Sequence, residues 1–249
     1  MSVSGPSIEV LAETGSTNAD VLARLRAGDA VSEGQWLVAL RQTAGRGRLG
    51  RSWDDGAGNF MGSTPVRCGA GDPPAATLAL VAGLALHETC APLAPGVDLR
   101  LKWPNDLMAG GVDGAGKVAG ILLERQGDCV VIGIGVNLSV APPLADRKTA
   151  ALAGFGEVPE LERFARLLAD AFAAELARWR LAGLPALLRR WQAAAHPAGT
   201  MLTVQGPGNE AVHGTFAGLA DDGGLQLRLA DGTTQVVHSG EVQLAAKGD

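Results

Sequence analysis

The 249-residue sequence contains only three cysteines, Cys68, Cys90 and Cys129, and no two of them lie close together in the chain. This spacing excludes a disulfide framework and a cysteine-based zinc site, so we expect a reducing compartment. The longest apolar run, residues 75–86, is expected to be too short to span a bilayer. The N-terminus also lacks the charged and apolar regions of a secretory signal peptide. We therefore expect a soluble, cytoplasmic protein.

Positive charge is also scarce, and lysine especially so. The formal net charge is −5, which argues against broad binding to nucleic acids or to membrane surfaces. Only four of the 21 basic residues are lysines, at positions 102, 117, 148 and 247. Because arginine can replace lysine wherever charge alone matters, Lys102 and Lys117, which lie inside predicted ordered segments, are candidate sites for a compact ammonium group. Chance retention of either lysine is the alternative.

Apolar material, in contrast, is abundant. Hydrophobic residues make up 47% of the chain and charged residues 19%, which is enough for a sizeable core and excludes general disorder. The length fits one large domain together with a small module. We predict a main domain over residues 1–197 and a β-module over 198–249, where short alternating strands are separated by Asp-Gly turns.

The order of apolar segments predicts an α+β fold, with a central sheet flanked by helices. Gly62 and Pro65 are poor residues for a strand interior, so the strand over 59–67 is predicted to be an edge strand or to carry a bulge. The glycine-rich segment 110–116 predicts a loose hairpin turn. The predicted helices are one ending near Gly28, then 75–91, 159–182 and 185–195. The predicted strands are 8–11, 35–40, 59–67, 97–103, 117–125, 129–138, 201–204, 212–217, 225–229 and 233–237.

The segment 41–53 combines four arginines with three glycines and directly follows an apolar run that predicts a buried strand. Flexible backbone N–H groups next to fixed positive charge suit the phosphates of a small anionic ligand such as a nucleotide. A solvated charged loop is the alternative interpretation of such a run.

Other polar clusters follow strand ends or precede a helix. Ser16, Thr17 and Asn18 come just before the first predicted helix, where such residues commonly serve as N-caps. Residues 102–106 end an alternating strand and are also compatible with an ordinary turn. Trp103 on that strand is predicted to be a core residue. The glycines of 133–137 lack the third glycine and the following helix of a dinucleotide fingerprint.

Five motifs stand in order along the chain and together resemble the biotin–protein ligase family. They are Ser16-Thr17-Asn18; residues 42–53, which read Q-x-x-G-R-G-R-x-G-R-x-W; K-W-P-N-D at 102–106; K-x-x-G-I-L-x-E at 117–124; and G-I-G-x-N at 133–137. The resemblance covers essentially the whole chain. It implies a central mixed sheet of the class II synthetase and biotin–lipoate ligase type, with a small SH3-like β-barrel at the C-terminus.

The resemblance also implies an activity. A biotin–protein ligase joins biotin to ATP, releases pyrophosphate to form biotinyl-5′-AMP, and transfers biotin to a lysine of the carrier domain of a carboxylase. Two anions must meet, so positive charge is needed at the point of attack, with Mg²⁺ as the expected companion of ATP. The mixed anhydride is itself activated, which agrees with the absence of a Ser-His-Asp or Cys-His arrangement in this sequence.

The resemblance assigns roles to individual residues. The catalytic residues are expected to be Lys117, Arg48 and Asp106, with Asp106 also a candidate Mg²⁺ ligand. The biotin-binding residues are expected to be Ser16, Thr17, Asn18, Gln42, Arg46, Gly47, Arg48 and Lys117. The nucleotide-binding residues are expected to be Arg48, Arg51, Trp53, Asn105, Asp106 and Asn137.

The sequence departs from the family pattern in several places. Leu49 stands where some relatives carry a basic residue, and Met61-Gly62-Ser63 is an unusual version of the strand after the loop. No stretch before Ile8 is long enough for a helix-turn-helix, so repressor activity is not expected. The glycines of 43–52 predict a loop that is mobile without ligand.

Two other functions are compatible with parts of the pattern. Lipoate ligase chemistry would use a related fold, although the Gln42–Arg48 segment resembles the biotin type. A non-enzymatic nucleic-acid module would use the arginine loop, but the acidic net charge and the lack of a basic face argue against it. The sequence leaves the oligomeric state open, with a homodimer among the options.

Overall fold

The computed structural model describes residues 6–110, 116–144, 147–205 and 210–245. Its larger sheet has seven strands in the order β1-β2-β3-β7-β6-β5-β4. Only β1 and β2 pair in parallel, and the remaining neighbours are antiparallel. The strands are β1 Ser7–Leu11, β2 Gln35–Ala39, β3 Phe60–Arg67, β4 Leu99–Lys102, β5 Asp106–Ala109, β6 Gly116–Gln126 and β7 Cys129–Val136. The predicted mixed sheet is therefore confirmed, while residues 111–115 of the predicted hairpin turn lie outside the described residues.

Helices cover both faces of this sheet. Helix α1, Thr17–Ala27, begins at Ser16, whose side chain accepts a hydrogen bond from the Ala19 N–H, and ends at Gly28 with φ 79°. It packs with Val21 and Leu22 on the face that carries Leu37 and Val131. The opposite face packs against the other two helices.

Those two helices are α2, Leu78–Cys90, and α3, Leu161–Ala194. Gly183 interrupts α3 with φ 72°, followed by Pro185, which accounts for the prediction of two separate helices. The segment Ala75–Leu93 is, contrary to the sequence expectation, long and apolar enough to cross a membrane by length and composition. In this fold, however, 67% of its most apolar window is buried, as in a core helix.

The prediction for β3 was wrong, because this strand is neither an edge strand nor bulged. It lies between β2 and β7 and pairs with β7 in unbroken register from Phe60 to Arg67. Its pairing with β2 covers only Ser63 and Gly62. Pro65 therefore lies beyond the β2 ladder, and its missing N–H costs no hydrogen bond there.

The C-terminal residues form a separate antiparallel sheet of five strands, in the order β11-β10-β9-β8-β12. This arrangement confirms the predicted β-module. The sequence pattern predicted four of the five strands. It missed the C-terminal strand, which has only four residues and follows a short turn. The strands are β8 Met201–Gln205, β9 Ala211–Leu219, β10 Leu225–Arg228, β11 Thr234–Val237 and β12 Glu241–Leu244.

Candidate active site

Two adjoining cavities lie over the larger sheet beside the arginine loop, and one of them is also lined by the C-terminal module. The cavity that we call the inner pocket is enclosed by the start of α1, the loop and the glycines of β6 and β7. The cavity that we call the outer pocket is enclosed by the loop, the turn after β4, Asn137 and the start of β12. Arg48, Trp53, Asn105 and Lys117 line both cavities, so a ligand bound in one pocket would meet a ligand bound in the other at these residues.

The arginine loop folds back on itself as a short hairpin. Arg46 and Ser52 form an isolated antiparallel bridge, and the Trp53 N–H donates to the Gly45 carbonyl over 2.9 Å. Leu49 has φ 56° at the tip and is 73% exposed. The hairpin brings Arg48 and Arg51 over the outer pocket while Arg46 reaches the inner one.

A network of short polar side chains forms one wall of the inner pocket. The Gln42 Oε1 accepts from the Thr17 N–H at 2.8 Å and from the Thr17 hydroxyl at 3.1 Å. Ser63, fully buried on β3, has its hydroxyl 2.7 Å from that of Thr17 and 2.6 Å from Asn18 Oδ1. These contacts occupy the Gln42 carbonyl, and within the described residues they leave its amide N–H groups and the Ser16 hydroxyl proton free to donate to a ligand.

Glu124 binds two of the residues that line the inner pocket. Its carboxylate accepts from Asn18 Nδ2 at 2.9 Å and from the Arg46 guanidinium, also at 2.9 Å. One carboxylate thus links the start of α1, strand β6 and the loop. Sequence analysis did not assign a role to Glu124 or to Ser63, although Glu124 ends one of the five motifs.

Glycines make the floor of the site flat. Gly120 and Gly135 face each other across β6 and β7, and the Trp53 indole lies on them. A Cβ at Gly135 would come within 2.3 Å of Trp53 Cε2, and one at Gly120 within 3.2 Å of Cζ3. Trp53 Nε1 is buried without a hydrogen-bond partner among the described residues. The indole therefore separates the two pockets and presents an unused donor.

Asp106 is bound by two lysines at the base of the outer pocket. Its Oδ1 lies 2.6 Å from Lys117 Nζ and its Oδ2 lies 2.8 Å from Lys102 Nζ. Burial alone would raise the pKa of the Asp106 carboxyl, but the two ammonium groups outweigh burial and hold that pKa well below its usual range. Asp106 is therefore ionised, and the lysines supply net positive charge.

The same pairing argues against the metal role predicted for Asp106. Each carboxylate oxygen already faces an ammonium group, and a divalent cation placed there would be repelled by both lysines. The described residues contain no group of three or more His, Cys, Asp or Glu side chains that could hold a metal ion. The residues present do not fit a metal held directly by the protein.

Arg48 and Asn105 join the loop to the turn after β4. The Arg48 Nη1 donates to Asn105 Oδ1 at 3.0 Å, while Asn105 Nδ2 donates to the Ile121 carbonyl at 2.8 Å. Burial lowers the pKa of the Arg48 guanidinium from its ordinary value. Arg48 remains a cation, and Asn105 fixes its direction at the junction of the pockets.

Asn137 lies at the end of β7 on the wall of the outer pocket. Its Nδ2 donates to the carbonyls of Lys117 and Ala150, each at 3.2 Å. Its Oδ1 is buried and has no partner within the described residues. A ligand with an N–H group at this position would satisfy that acceptor.

The structure brings all the predicted site residues to these two cavities. The residues predicted to bind biotin all line the inner pocket, and those predicted to bind the nucleotide all line the outer pocket. The C-terminal module supplies an unpredicted wall, because Glu241 and Val242 also line the outer pocket. Their sequence, at the end of an ordinary alternating pattern, carries no signal for such a role.

Comparison with known proteins agrees with this geometry. Residues 13–137 match the model of the biotin/lipoate A/B protein ligase family, and residues 201–245 match the biotin protein ligase C-terminal domain. A biotin–[acetyl-CoA-carboxylase] ligase of Paracoccus denitrificans is 39% identical over 245 residues, covering 94% of this chain and 98% of that protein. A ligase of the same name from Mycobacterium tuberculosis is also 39% identical, covering 94% of this chain and 88% of its own length.

The fold is also similar to that of a solved structure. The biotin protein ligase of Aquifex aeolicus in complex with biotin and ATP superimposes with a TM-score of 0.81 at 25% identity, covering 96% of this chain and 98% of that one. The two family matches together include every strand of the two sheets except β1, and the sequence relatives cover 94% of this chain. The chain therefore belongs to the biotin/lipoate A/B protein ligase family, within which it is a biotin protein ligase.

Proposed function

We propose that this enzyme activates biotin with ATP to give biotinyl-5′-AMP and then transfers the biotinyl group to a lysine of a biotin carboxyl carrier domain. The observation that supports this most directly is the junction of two pockets at Arg48 and Lys117. One pocket has the polar wall expected for a cyclic urea, and the other has the cations expected for phosphates. The junction lies where a carboxylate and an α-phosphate would have to meet.

In the first step, a carboxylate oxygen of biotin attacks the α-phosphorus, and pyrophosphate leaves. Lys117 and Arg48 bring positive charge to both anions and stabilise the charge that develops at phosphorus. Ser16, Thr17, Asn18, Gln42, Arg46 and Gly47 hold the bicyclic ring and its chain. Arg51, Trp53, Asn105, Asp106 and Asn137 hold the nucleotide. Mg²⁺ accompanies ATP on the phosphates, and no step requires the protein to coordinate it.

In the second step, the neutral amine of the acceptor lysine attacks the carbonyl carbon of the anhydride, and AMP leaves. No covalent enzyme intermediate is needed, because the anhydride already carries a good leaving group. Asp106 keeps Lys102 and Lys117 in place in this step, and the proton of the incoming amine passes to solvent, because a carboxylate whose pKa is held so far below its usual range is a poor base.

The surrounding functional assignments follow from the same site. We propose a catalytic domain over residues 1–197 and a C-terminal module over 198–249 that completes the outer pocket. The acceptor is proposed to be the biotin carrier domain of a carboxylase, as the names of the relatives suggest. Because the net charge of −5 argues against broad nucleic-acid binding, we propose ligase activity without transcriptional repression. The three scattered cysteines suit a reducing compartment, so we propose a cytoplasmic location.

The test is an incubation of the purified protein with biotin, Mg-ATP and a biotin carrier domain. We expect labelled carrier, and acyl-adenylate when the carrier is left out. A parallel incubation with lipoate distinguishes the related chemistry. Formation of lipoyl-adenylate without biotinyl-adenylate would contradict the proposal, and so would the absence of both products.

A further inference from the structure

Three consecutive residues of the C-terminal module bind three cations of the outer pocket. The Gly240 carbonyl accepts from Arg48 Nη2 at 3.2 Å, and the Val242 carbonyl accepts from Lys102 Nζ at 3.0 Å. Between them, the Glu241 carboxylate binds both terminal nitrogens of Arg51, with Nη1 at 2.5 Å from Oε1. The cations come from two separate segments of the main domain.

The Glu241 carboxylate is well enclosed among these groups. Its side chain is 17% exposed against 40% for Arg51, and Arg147 Nη2 lies 4.0 Å from the Oε1 that Arg51 Nη1 also binds. The hydrogen bonds from Arg51 hold the pKa of the Glu241 carboxyl below its ordinary value. The carboxylate is therefore charged at neutral pH, and it faces the same cavity as Lys117 and Asn137.

A carboxylate bound end-on to a guanidinium has the geometry that a phosphate group would also use. Both terminal nitrogens of Arg51 are engaged by Glu241, so a phosphate that needs this fork has to replace the carboxylate. A phosphate arriving beside Glu241 would also meet a like charge at short range. The two anions therefore compete for one cation.

We propose that Glu241 is an internal counter-anion, which holds Arg51 when the outer pocket is empty and is displaced by the phosphates of the nucleotide. This inference rests on the proposed function, because it takes the outer pocket to bind a nucleotide. On this proposal, the contact between the C-terminal module and the arginine loop depends on whether the outer pocket is occupied. The ion pair between Glu241 and Arg51 breaks when phosphates bind and forms again when they leave.

The test compares the dissociation constants of ATP, inorganic tripolyphosphate and adenosine, measured by calorimetry on the full chain. Glu241→Gln keeps the shape of the side chain and removes its charge. Asp231→Asn is the matched control, because this substitution removes one acidic charge from the same module, and within the described part of the chain the side chain of Asp231 bonds to the nearby Thr233 alone. Arg51→Gln and the double variant Arg51→Gln/Glu241→Gln complete a cycle.

We expect Glu241→Gln to bind ATP and tripolyphosphate about two- to fivefold more tightly than the wild type, as the loss of one partly exposed competing ion pair implies. Adenosine binding should not change, and Asp231→Asn should match the wild type. In the Arg51→Gln background, the gain from Glu241→Gln should shrink, because only the relieved repulsion between the carboxylate and the phosphates remains.

Weaker binding of ATP by Glu241→Gln would overturn the inference, because it would mean that the carboxylate positions Arg51 for the phosphates. Equal gains from Glu241→Gln and Asp231→Asn would overturn it too, since they would reflect only the overall charge of the module. Failure of the wild type to bind ATP at all would instead contradict the proposed function. The two failures are therefore distinguishable.

Discussion

Lys117 Nζ lies 2.6 Å from Asp106 Oδ1 at the base of the outer pocket, and Lys102 Nζ lies 2.8 Å from Oδ2 of the same carboxylate. Two of the chain's four lysines thus share one carboxylate. The pairing keeps both ammonium groups in place without neutralising both, so one net positive charge remains where two anionic substrates would meet. A guanidinium in place of either lysine would be larger and planar.

The first prediction concerns that ammonium group. Lys117→Ala should reduce acyl-adenylate formation by about a hundredfold or more, because one preorganised charge at a reacting centre is worth about 3 to 4 kcal/mol. Lys117→Arg should recover only part of this loss, since the fork cannot occupy the same position. The measurement is the single-turnover rate of adenylate formation. The exposed Lys148 is the control within the described residues, and Lys247, which lies outside them, is a second.

If Lys148→Ala or Lys247→Ala lowered the rate as much as Lys117→Ala, the special role of Lys117 would be disproved.

The second prediction concerns the glycine floor under Trp53. Gly135→Ala should displace the indole, because the new Cβ would lie 2.3 Å from Trp53 Cε2. We expect weaker binding of ATP together with a shift in tryptophan fluorescence. Gly71→Ala, whose Cβ would meet nothing within 4 Å, is the matched control. Wild-type ATP affinity in Gly135→Ala would show that the position of the indole does not matter for the nucleotide.

The third prediction concerns the choice of base. The unpartnered Oδ1 of Asn137 can accept from the amino group of adenine but would face the carbonyl of hypoxanthine. We expect ATP to be preferred over ITP by roughly tenfold or more, the cost of an unpaired buried acceptor. The preference is read from kcat/KM for adenylate formation. Equal use of ATP and ITP would mean that Asn137 Oδ1 does not contact the base.

The fourth prediction concerns stability in acid. Burial, helped by the nearby charge of Lys102, lowers the pKa of His196 to about 4, whereas the unfolded chain titrates near 6.5. The folded state therefore binds fewer protons below pH 6.5, and stability falls as the pH drops from about 6.5 towards 4. This residue should cost about 2 kcal/mol of unfolding free energy between pH 8 and pH 5.

His196→Leu should remove most of that pH dependence in urea titrations, and the exposed His213 provides the control substitution His213→Gln. An unchanged slope in His196→Leu would mean that other groups cause the loss.

Several features of the fold could be predicted from the sequence because each has a local cause. Gly28 ends α1 in the left-handed region, and Gly183 with Pro185 interrupts α3. Trp103, directly after β4, is buried to 6% exposure in the core, as predicted from the alternating pattern before it. The family resemblance also named site residues that all line one of the two pockets.

Other features depend on contacts between distant segments, and they were missed for that reason. Pro65 is tolerated in an interior strand because β2 ends its pairing at Ser63, which no local pattern reveals. Glu241 joins the outer pocket only because β12 pairs with β8 and turns its first residues towards the loop. Ser63 became part of the polar wall because β3 lies beside α1, not because of its neighbours in sequence.

The most direct test of the central claim is a mass spectrum of the purified protein after exposure to biotin and Mg-ATP without any acceptor. If the two pockets bring the biotin carboxylate and the α-phosphate together at Arg48 and Lys117, the spectrum will contain biotinyl-5′-AMP and an equal amount of pyrophosphate will be released. If the protein binds both substrates but forms no adenylate, the assignment of this junction as the reaction centre is wrong.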